Sequence, residues 1–262
     1  MEQMLREYLN AQPGEAAVWV QDLTDGTTAV INADAVFPSA STIKLVIMAC
    51  LLEKVRDGQM SLDDLVTMTP DMKTGGDGIL KELRSGHQIA LEELLTLMII
   101  VSDNTATNIL IDRLGMEEIN STANALGMKQ TVLERRMMDS QAKKLGKDNF
   151  TCARDLALIL EKIYREQCVD ASMSRLMMDL LKRQQQTGRL QLYLPEDLEI
   201  AHKCGDLDYL EHDVGIVFLP KHPYLIVVLT KDNPTNKEGR ELIGIVSKIV
   251  WEQMLKKASV SQ

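Results

Sequence analysis

The spacing of apolar residues changes its period twice along this chain, and no other sequence feature constrains the fold as much. Near the start, Ala17-Val18-Trp19-Val20 and Thr28-Ala29-Val30-Ile31 flank Thr24-Asp25-Gly26. Asp-Gly supplies the positive φ of a tight turn, so a hairpin is predicted there. A short helical stripe of Met1, Met4, Leu5, Tyr8 and Leu9 precedes it. From about Thr42 to Arg183 the spacing is helical, with stripes at 43–53, 91–101, 105–114, 116–126 and 153–164. Strand patterns return from Leu198 to Lys203, Val214 to Leu219 and Tyr224 to Thr230. A last helix after Asn233-Pro234 puts Leu242, Ile243, Val246, Ile249, Val250 and Leu255 on one face.

Two strands, a helical block and three more strands read as one sheet whose halves are separated by an insertion. The fold expected is α+β, an antiparallel five-stranded sheet flanked by the N- and C-terminal helices, with an inserted all-helical lobe. Residues 1–42 and 184–262 form the sheet lobe and 43–183 the helical lobe, with a cleft between them.

Composition narrows the function. With 29 Lys+Arg against 38 Asp+Glu, the formal charge is −9, and no basic block offers the footprint that nucleic acid requires. The longest apolar run, Leu45 to Leu52, falls well short of the roughly 20 residues that span a bilayer. Met1-Glu2-Gln3-Met4-Leu5-Arg6-Glu7 has no apolar signal-peptide segment. The expectation is a cytoplasmic protein as given, or an exported one with its leader removed, and a monomer. Cys50, Cys152, Cys168 and Cys204 form no C-x-x-C pair, so buried free thiols are expected, with neither metal nor cofactor.

Chemistry concentrates in Phe37-Pro38-Ser39-Ala40-Ser41-Thr42-Ile43-Lys44. At the start of a helix, Ser41 and Lys44 share a face, and a lysine that is neutral part of the time can take the proton of a hydroxyl nucleophile. Ser140-Gln141-Ala142-Lys143 repeats the string, so the string alone is weak. Ser102-Asp103-Asn104 follows 61 residues after Ser41, and Lys203-Cys204-Gly205 follows 101 residues after Ser102 on a predicted strand. Alone, Ser102-Asp103-Asn104 would read as a helix cap. The ordered set S-x-x-K, S-D-N, K-[T]-G resembles the class A β-lactamases and penicillin-binding serine hydrolases. The likeness extends over Val101 to Asn108, Asp112-Arg113-Leu114-Gly115, Thr131-x-Leu133-x-Arg135 and Gly215-Ile216-Val217. Lys73-Thr74-Gly75 is a decoy, because it precedes Ser-Asp-Asn in a glycine-rich loop; the segment Gly75 to Leu80 would border the cleft instead.

The resemblance implies the β-lactamase/transpeptidase-like fold and a small-molecule β-lactam or peptidoglycan-like amide as substrate. It makes Ser41 the acylated nucleophile, Lys44 its proton partner and Ser102 the shuttle to the leaving nitrogen. Asn104 would hold the side-chain amide of the substrate, and Lys203 would meet its carboxylate as a point charge. Gly205 would let the strand approach closely. The backbone N–H groups of Ser41 and Asp206 would form the oxyanion hole.

Two departures matter. Cys204 replaces a threonine, and a thiol is the weaker donor; facing the cleft beside Lys203, it would have a route to a lowered pKa. The Ω-loop glutamate that activates the deacylating water in class A enzymes falls on Met137 or Arg136. The nearest carboxylates are Glu134 and Asp139. Asp139 is the candidate base if the loop is rearranged, and otherwise it caps a turn. Rivals to a β-lactamase-type hydrolase are a D-alanyl peptidase or esterase-like relative and a non-catalytic binding module. His212-Asp213 would support the cleft floor, while His87, His202 and His222 have no partner by spacing.

Overall fold

The computed structural model describes residues 1–260. Its elements, in chain order, begin with α1 (Glu2–Asn10), β1 (Glu15–Asp22), β2 (Thr28–Ile31) and β3 (Phe37–Pro38). A 3₁₀ turn, Ala40–Ile43, then runs into α2 (Lys44–Arg56). The middle of the chain holds β4 (Leu65–Thr67), β5 (Gln88–Ala90), α3 (Leu91–Ile100), α4 (Asn104–Leu114) and α5 (Met116–Leu126). It continues with α6 (Ser140–Lys144), β6 (Phe150–Thr151), α7 (Ala153–Tyr164) and α8 (Ala171–Lys182). Last come β7 (Ile200–Leu207), β8 (Leu210–Val217), β9 (Tyr224–Lys231) and α9 (Asn236–Val260).

The main sheet has five strands in the order β2-β1-β9-β8-β7, all antiparallel. Chain termini thus meet in the middle: β1 pairs with β9 through Val18↔Val228, and β9 with β8 through Val227↔Val214. Alternate residues feed two cores, as the two-residue strand period requires. On one face Val18, Val20, Ile226 and Val228 pack with Leu5 of α1 and Leu242, Ile243, Val246 and Val250 of α9. On the other, Leu225, Val227 and Leu229 pack against the helices of the middle segment. Because both faces are covered, Leu225 to Leu229 reads as a continuous apolar run and every residue in it is buried.

Helix α2 lies at the centre of the second core. Its residues Lys44 to Leu52 are all buried, and this explains an apolar run with no polar stripe: a helix surrounded by others needs no solvent face. The middle segment also carries two small ladders, β3–β6 and β4–β5. With two and three residue pairs they are too short for an alternation pattern to register, and the helical period dominates the sequence around them. Strands β7 and β8 reach further than apolar spacing indicates, to Leu207 and back to Leu210. The added length is 204–207 and 210–213, in which Asp206, Glu211, His212 and Asp213 find partners within the protein. No described helix is long and apolar enough to cross a membrane.

Candidate active site

Ser41 lies in the 3₁₀ turn between β3 and α2, behind an alanine held at φ +45°. Ser102, in the three-residue junction of α3 and α4, takes φ +55°, and Met138 takes φ +62°. Left-handed backbone at alanine, serine and methionine is costly and tends to sit at functional sites.

Asp103 builds the junction that presents Ser102. Its Oδ1 accepts the Ala106 N–H at 2.9 Å, capping α4. Its Oδ2 accepts the Ile79 and Leu80 N–H groups at 2.7 and 2.9 Å, tying the 73–83 loop to the same helix. Gly78 must be glycine, because a Cβ there would come within 2.3 Å of the Asp103 carboxylate. Of the three motif residues, one is therefore structural and two face the lysine.

Lys44, the first residue of α2 and wholly buried, donates through Nζ to Ser102 O at 2.7 Å, Ser102 Oγ at 3.0 Å and Asn104 Oδ1 at 3.0 Å. None of these bonds goes to the Ser41 hydroxyl. From the opposite wall, Lys203 of β7 donates to Ser102 Oγ at 3.1 Å and to Cys204 O at 2.6 Å. Two lysines thus converge on one hydroxyl. Burial, and then the charge of Lys203, hold the Lys44 ammonium well below its ordinary range, with Asp77 and Asp103 pulling the other way. Burial lowers Lys203 too. Asn104 completes the cluster by donating from Nδ2 to Gly75 O at 3.1 Å.

Gly205 brings β7 against the Ser41 backbone; a Cβ there would lie 2.5 Å from Ser41 N. Asp206, one residue on, is exposed at the mouth, and its carboxylate accepts from Arg189 Nη2 at 2.8 Å. A cleft of about 150 Å³ opens here, bordered by Ser41, Gly76, Asp77, Asn104, Met137 and Asp206.

The loop from 131 to 149 closes the far wall. Asn108 of α4 clamps it, accepting the Met137 N–H at 2.8 Å and donating to Met137 O at 3.1 Å. Asn149 accepts from the Glu134 and Arg135 N–H groups and returns a bond to Arg135 O. Arg135 pairs with Asp148 at 2.7 Å. These bonds set the loop register: Met137 lines the cleft, Arg136 turns away to Asp112 at 2.9 Å, and Glu134 is exposed. Of the two readings of Asp139, the cap is the one with a hydrogen bond behind it. Its Oδ1 accepts the Ala142 N–H at 2.9 Å at the start of α6, whose first N–H groups have no helical partner.

Cys204 departs from the expectation of a thiol facing the cleft. Adjacent strand residues point to opposite faces, so with Lys203 turned to Ser102 the Cys204 Sγ turns to Gln186 Oε1 at 3.2 Å. Burial pushes that thiol up, not down. The other three cysteines are likewise free and buried. His202 gains a partner that spacing does not reveal, with Nδ1 2.8 Å from Asp213 Oδ1 across the β7–β8 ladder, and His222 lies 3.3 Å from Asp22. His212 supports the floor through Nε2, 2.8 Å from Pro38 O. Lys73-Thr74-Gly75 lies outside the sheet, and Gly76 and Asp77 after it reach the cleft. Asp77 is the acidic wall residue that motif reading passes over; its only sequence signal is its place among Gly75, Gly76 and Gly78. No described group of three or more His, Cys, Asp or Glu side chains is arranged to hold a metal.

The family profile described as the β-lactamase enzyme family matches residues 1–254. The chain belongs to that family. The family's relatives include the extended-spectrum β-lactamase PER-1 of Pseudomonas aeruginosa, 25% identical over 257 residues that cover 93% of this chain and 83% of that one. Among solved structures, a leucine-to-glutamate mutant of PBP-A, an acyl-enzyme complex with penicillin G, is 31% identical with a TM-score of 0.90, covering 97% of this chain and 96% of that one. The β-lactamase of Sphaerobacter thermophilus is 27% identical with a TM-score of 0.89, covering 96% of each chain. The five-stranded antiparallel sheet with its inserted helices is thus the β-lactamase/transpeptidase-like fold.

Proposed function

We propose that this member of the β-lactamase family is a serine hydrolase that opens the β-lactam amide by acylation at Ser41 and releases the acyl group slowly. The observation that carries this reading is the convergence of Lys44 and Lys203 on Ser102 Oγ beside the Ser41 turn. Ser41 Oγ adds to the lactam carbonyl and its proton passes to the Lys44 amine, which burial keeps available in neutral form. The carbon–nitrogen bond breaks, and the leaving nitrogen takes a proton through the Ser102 hydroxyl. Asn104 holds the side-chain amide of the substrate and Lys203 its carboxylate. The Ser41 and Asp206 N–H groups receive the oxyanion, a donor pair of which each member is typically worth ~10²–10³ in rate. The acyl-enzyme complex of the PBP-A mutant supports the acylation step by similarity.

A fluorescent penicillin is expected to label the wild type covalently and to leave Ser41→Ala unlabelled. Absence of label from several penicillins on the folded protein overturns the proposal. Met137 favours one variant of it, a D-alanyl peptidase or esterase-like enzyme, because a thioether cannot activate water where the cleft wall meets the ester. Intact-mass spectra in which the adduct persists for hours support slow release and with it that variant, and rapid nitrocefin turnover removes both.

A further inference from the structure

The catalytic cleft is the smaller part of a larger opening. A second cavity, of about 630 Å³, shares Met138, Asp148, Asp206 and Leu207 with the first as lining, so the two form one trough pinched at those residues. The outer part lies between the 131–149 loop with α6 on one side and the β7–β8 turn on the other, and is closed by the end of β9 and the start of α9.

Unspent charges of opposite sign face each other across it. Lys143, on the loop side, reaches Asp148 only at 4.0 Å, and Asp148 is already bonded to Arg135 at 2.7 Å. Asp208 and Asp232, on the sheet side, are exposed, and their carboxylates make no ion pair or side-chain hydrogen bond among the described residues. The remaining cations of the wall are taken, Lys231 by Glu15 at 3.1 Å and Arg240 by Glu211 at 2.9 Å. Met138 at the neck and Tyr209 at the turn are each 58% exposed, and they offer apolar surface to a methylene chain passing between them.

We infer that the outer cavity is a specificity subsite for acyl groups whose side chain ends in an α-amino acid, with the ammonium received by Asp208 and Asp232 and the carboxylate by Lys143. This rests on acylation at Ser41 as proposed above. An acyl group running from Ser41 along β7 would cross the span from Asp206 to the β7–β8 turn, where Asp208 follows Leu207, the last residue of the strand. An unbranched chain of several methylenes crosses that span, whereas a phenylacetyl group ends near the neck.

The test compares acylation rates, followed by intact mass, for penicillins that share one nucleus and carry aminoadipoyl, N-acetyl-aminoadipoyl, adipoyl or phenylacetyl side chains. Aminoadipoyl penicillin is expected to acylate faster than its N-acetyl and adipoyl counterparts by roughly two- to fivefold, the scale of a solvent-exposed ion pair. In the Asp208→Asn/Asp232→Asn double variant the ratio of aminoadipoyl to adipoyl rates should fall to about one, and in Lys143→Gln the advantage over phenylacetyl should shrink. A parallel arm measures D-alanine release from acyl-D-alanyl-D-alanine peptides with and without a side-chain α-amino acid. A matching preference there makes peptides a source of this group, and a preference confined to penicillins makes β-lactams the source. Equal rates for the aminoadipoyl and adipoyl compounds in both arms, or a preference that survives the double variant, overturns the subsite. Failure of the phenylacetyl compound to modify Ser41 overturns the acylation reading instead.

Discussion

Lys44 shows how one buried side chain sets the conditions of the chemistry. Its ammonium is destabilised by burial first and by the neighbouring charge of Lys203 second, below the ordinary lysine value of 10.5. Acylation as proposed needs the neutral amine, so on that reading the rate rises with pH as Lys44 loses its proton, and the rise should fall well below pH 10.5. Replacing Lys203 by Gln removes the like charge and makes the ammonium easier to keep, so the rise moves to higher pH whatever happens to its height. A pH–rate profile of penicillin labelling checks this, and a rise that stays put or moves to lower pH contradicts it. Met137 is the other decisive residue. Met137→Glu places a carboxylate in the cleft wall and should raise nitrocefin hydrolysis, whereas Asp139→Asn, which can still cap α6, should leave turnover as it was. Loss of a general base costs ~10²–10⁴; a drop of that size in Asp139→Asn at unchanged melting temperature would identify Asp139 as the base.

Strand β7 carries more of the site than any other element, because its cleft-side edge lies on the Ser41 turn. The missing Cβ of Gly205 is what allows this: the methyl group of Gly205→Ala would meet Ser41 N at 2.5 Å and Ala40 Cβ at 3.1 Å. Backbone cannot yield there without moving the strand and the turn apart. Since Asp206, the proposed oxyanion donor, is the next residue, acylation should fall by ~10²–10³. Circular dichroism should show the fold retained, and a labelling time course read beside it measures the loss. A variant that labels at the wild-type rate shows that β7 can shift without cost.

At the scale of the molecule, the main sheet is tied to β3, the strand that leads into the Ser41 turn, where His212 of β8 meets Pro38. Burial pushes this imidazole down to about 4 from 6.5, outweighing the Pro38 and Glu211 carbonyls that would accept from the charged ring. The sign of the pH effect follows. Between pH 6.5 and about 4 the unfolded chain binds the proton and the folded one does not, so stability is full above pH 6.5 and declines as pH falls through that window. The whole decline from this residue is on the order of 3 kcal/mol. Urea titrations at pH 7 and near pH 4.5 should therefore show a smaller acid loss in His212→Gln than in the wild type. Parallel slopes for the two proteins would show that His212 plays no part.

The sequence alone determined the architecture and the cast. Apolar period is a local property, dictated by which face a residue must bury, so the strand–helix–strand division and the five-stranded sheet are legible without coordinates. Motif order identified Ser41, Lys44, Ser102, Asn104 and Lys203 as the candidate set, because the chemistry restricts residue type at each place. What tertiary structure decided are the relations that no spacing encodes. Lys44 and Lys203 meet at Ser102 because a helix, a junction and a strand far apart in the chain converge, and Asp77 enters the wall because Asp103 anchors its loop. The loop register was decided by Asn108 and Asn149, whose amides bind backbone 29 and 14 residues away. Side-chain direction also required the fold: Cys204 turns its thiol to Gln186 because the strand commits Lys203 to the other face.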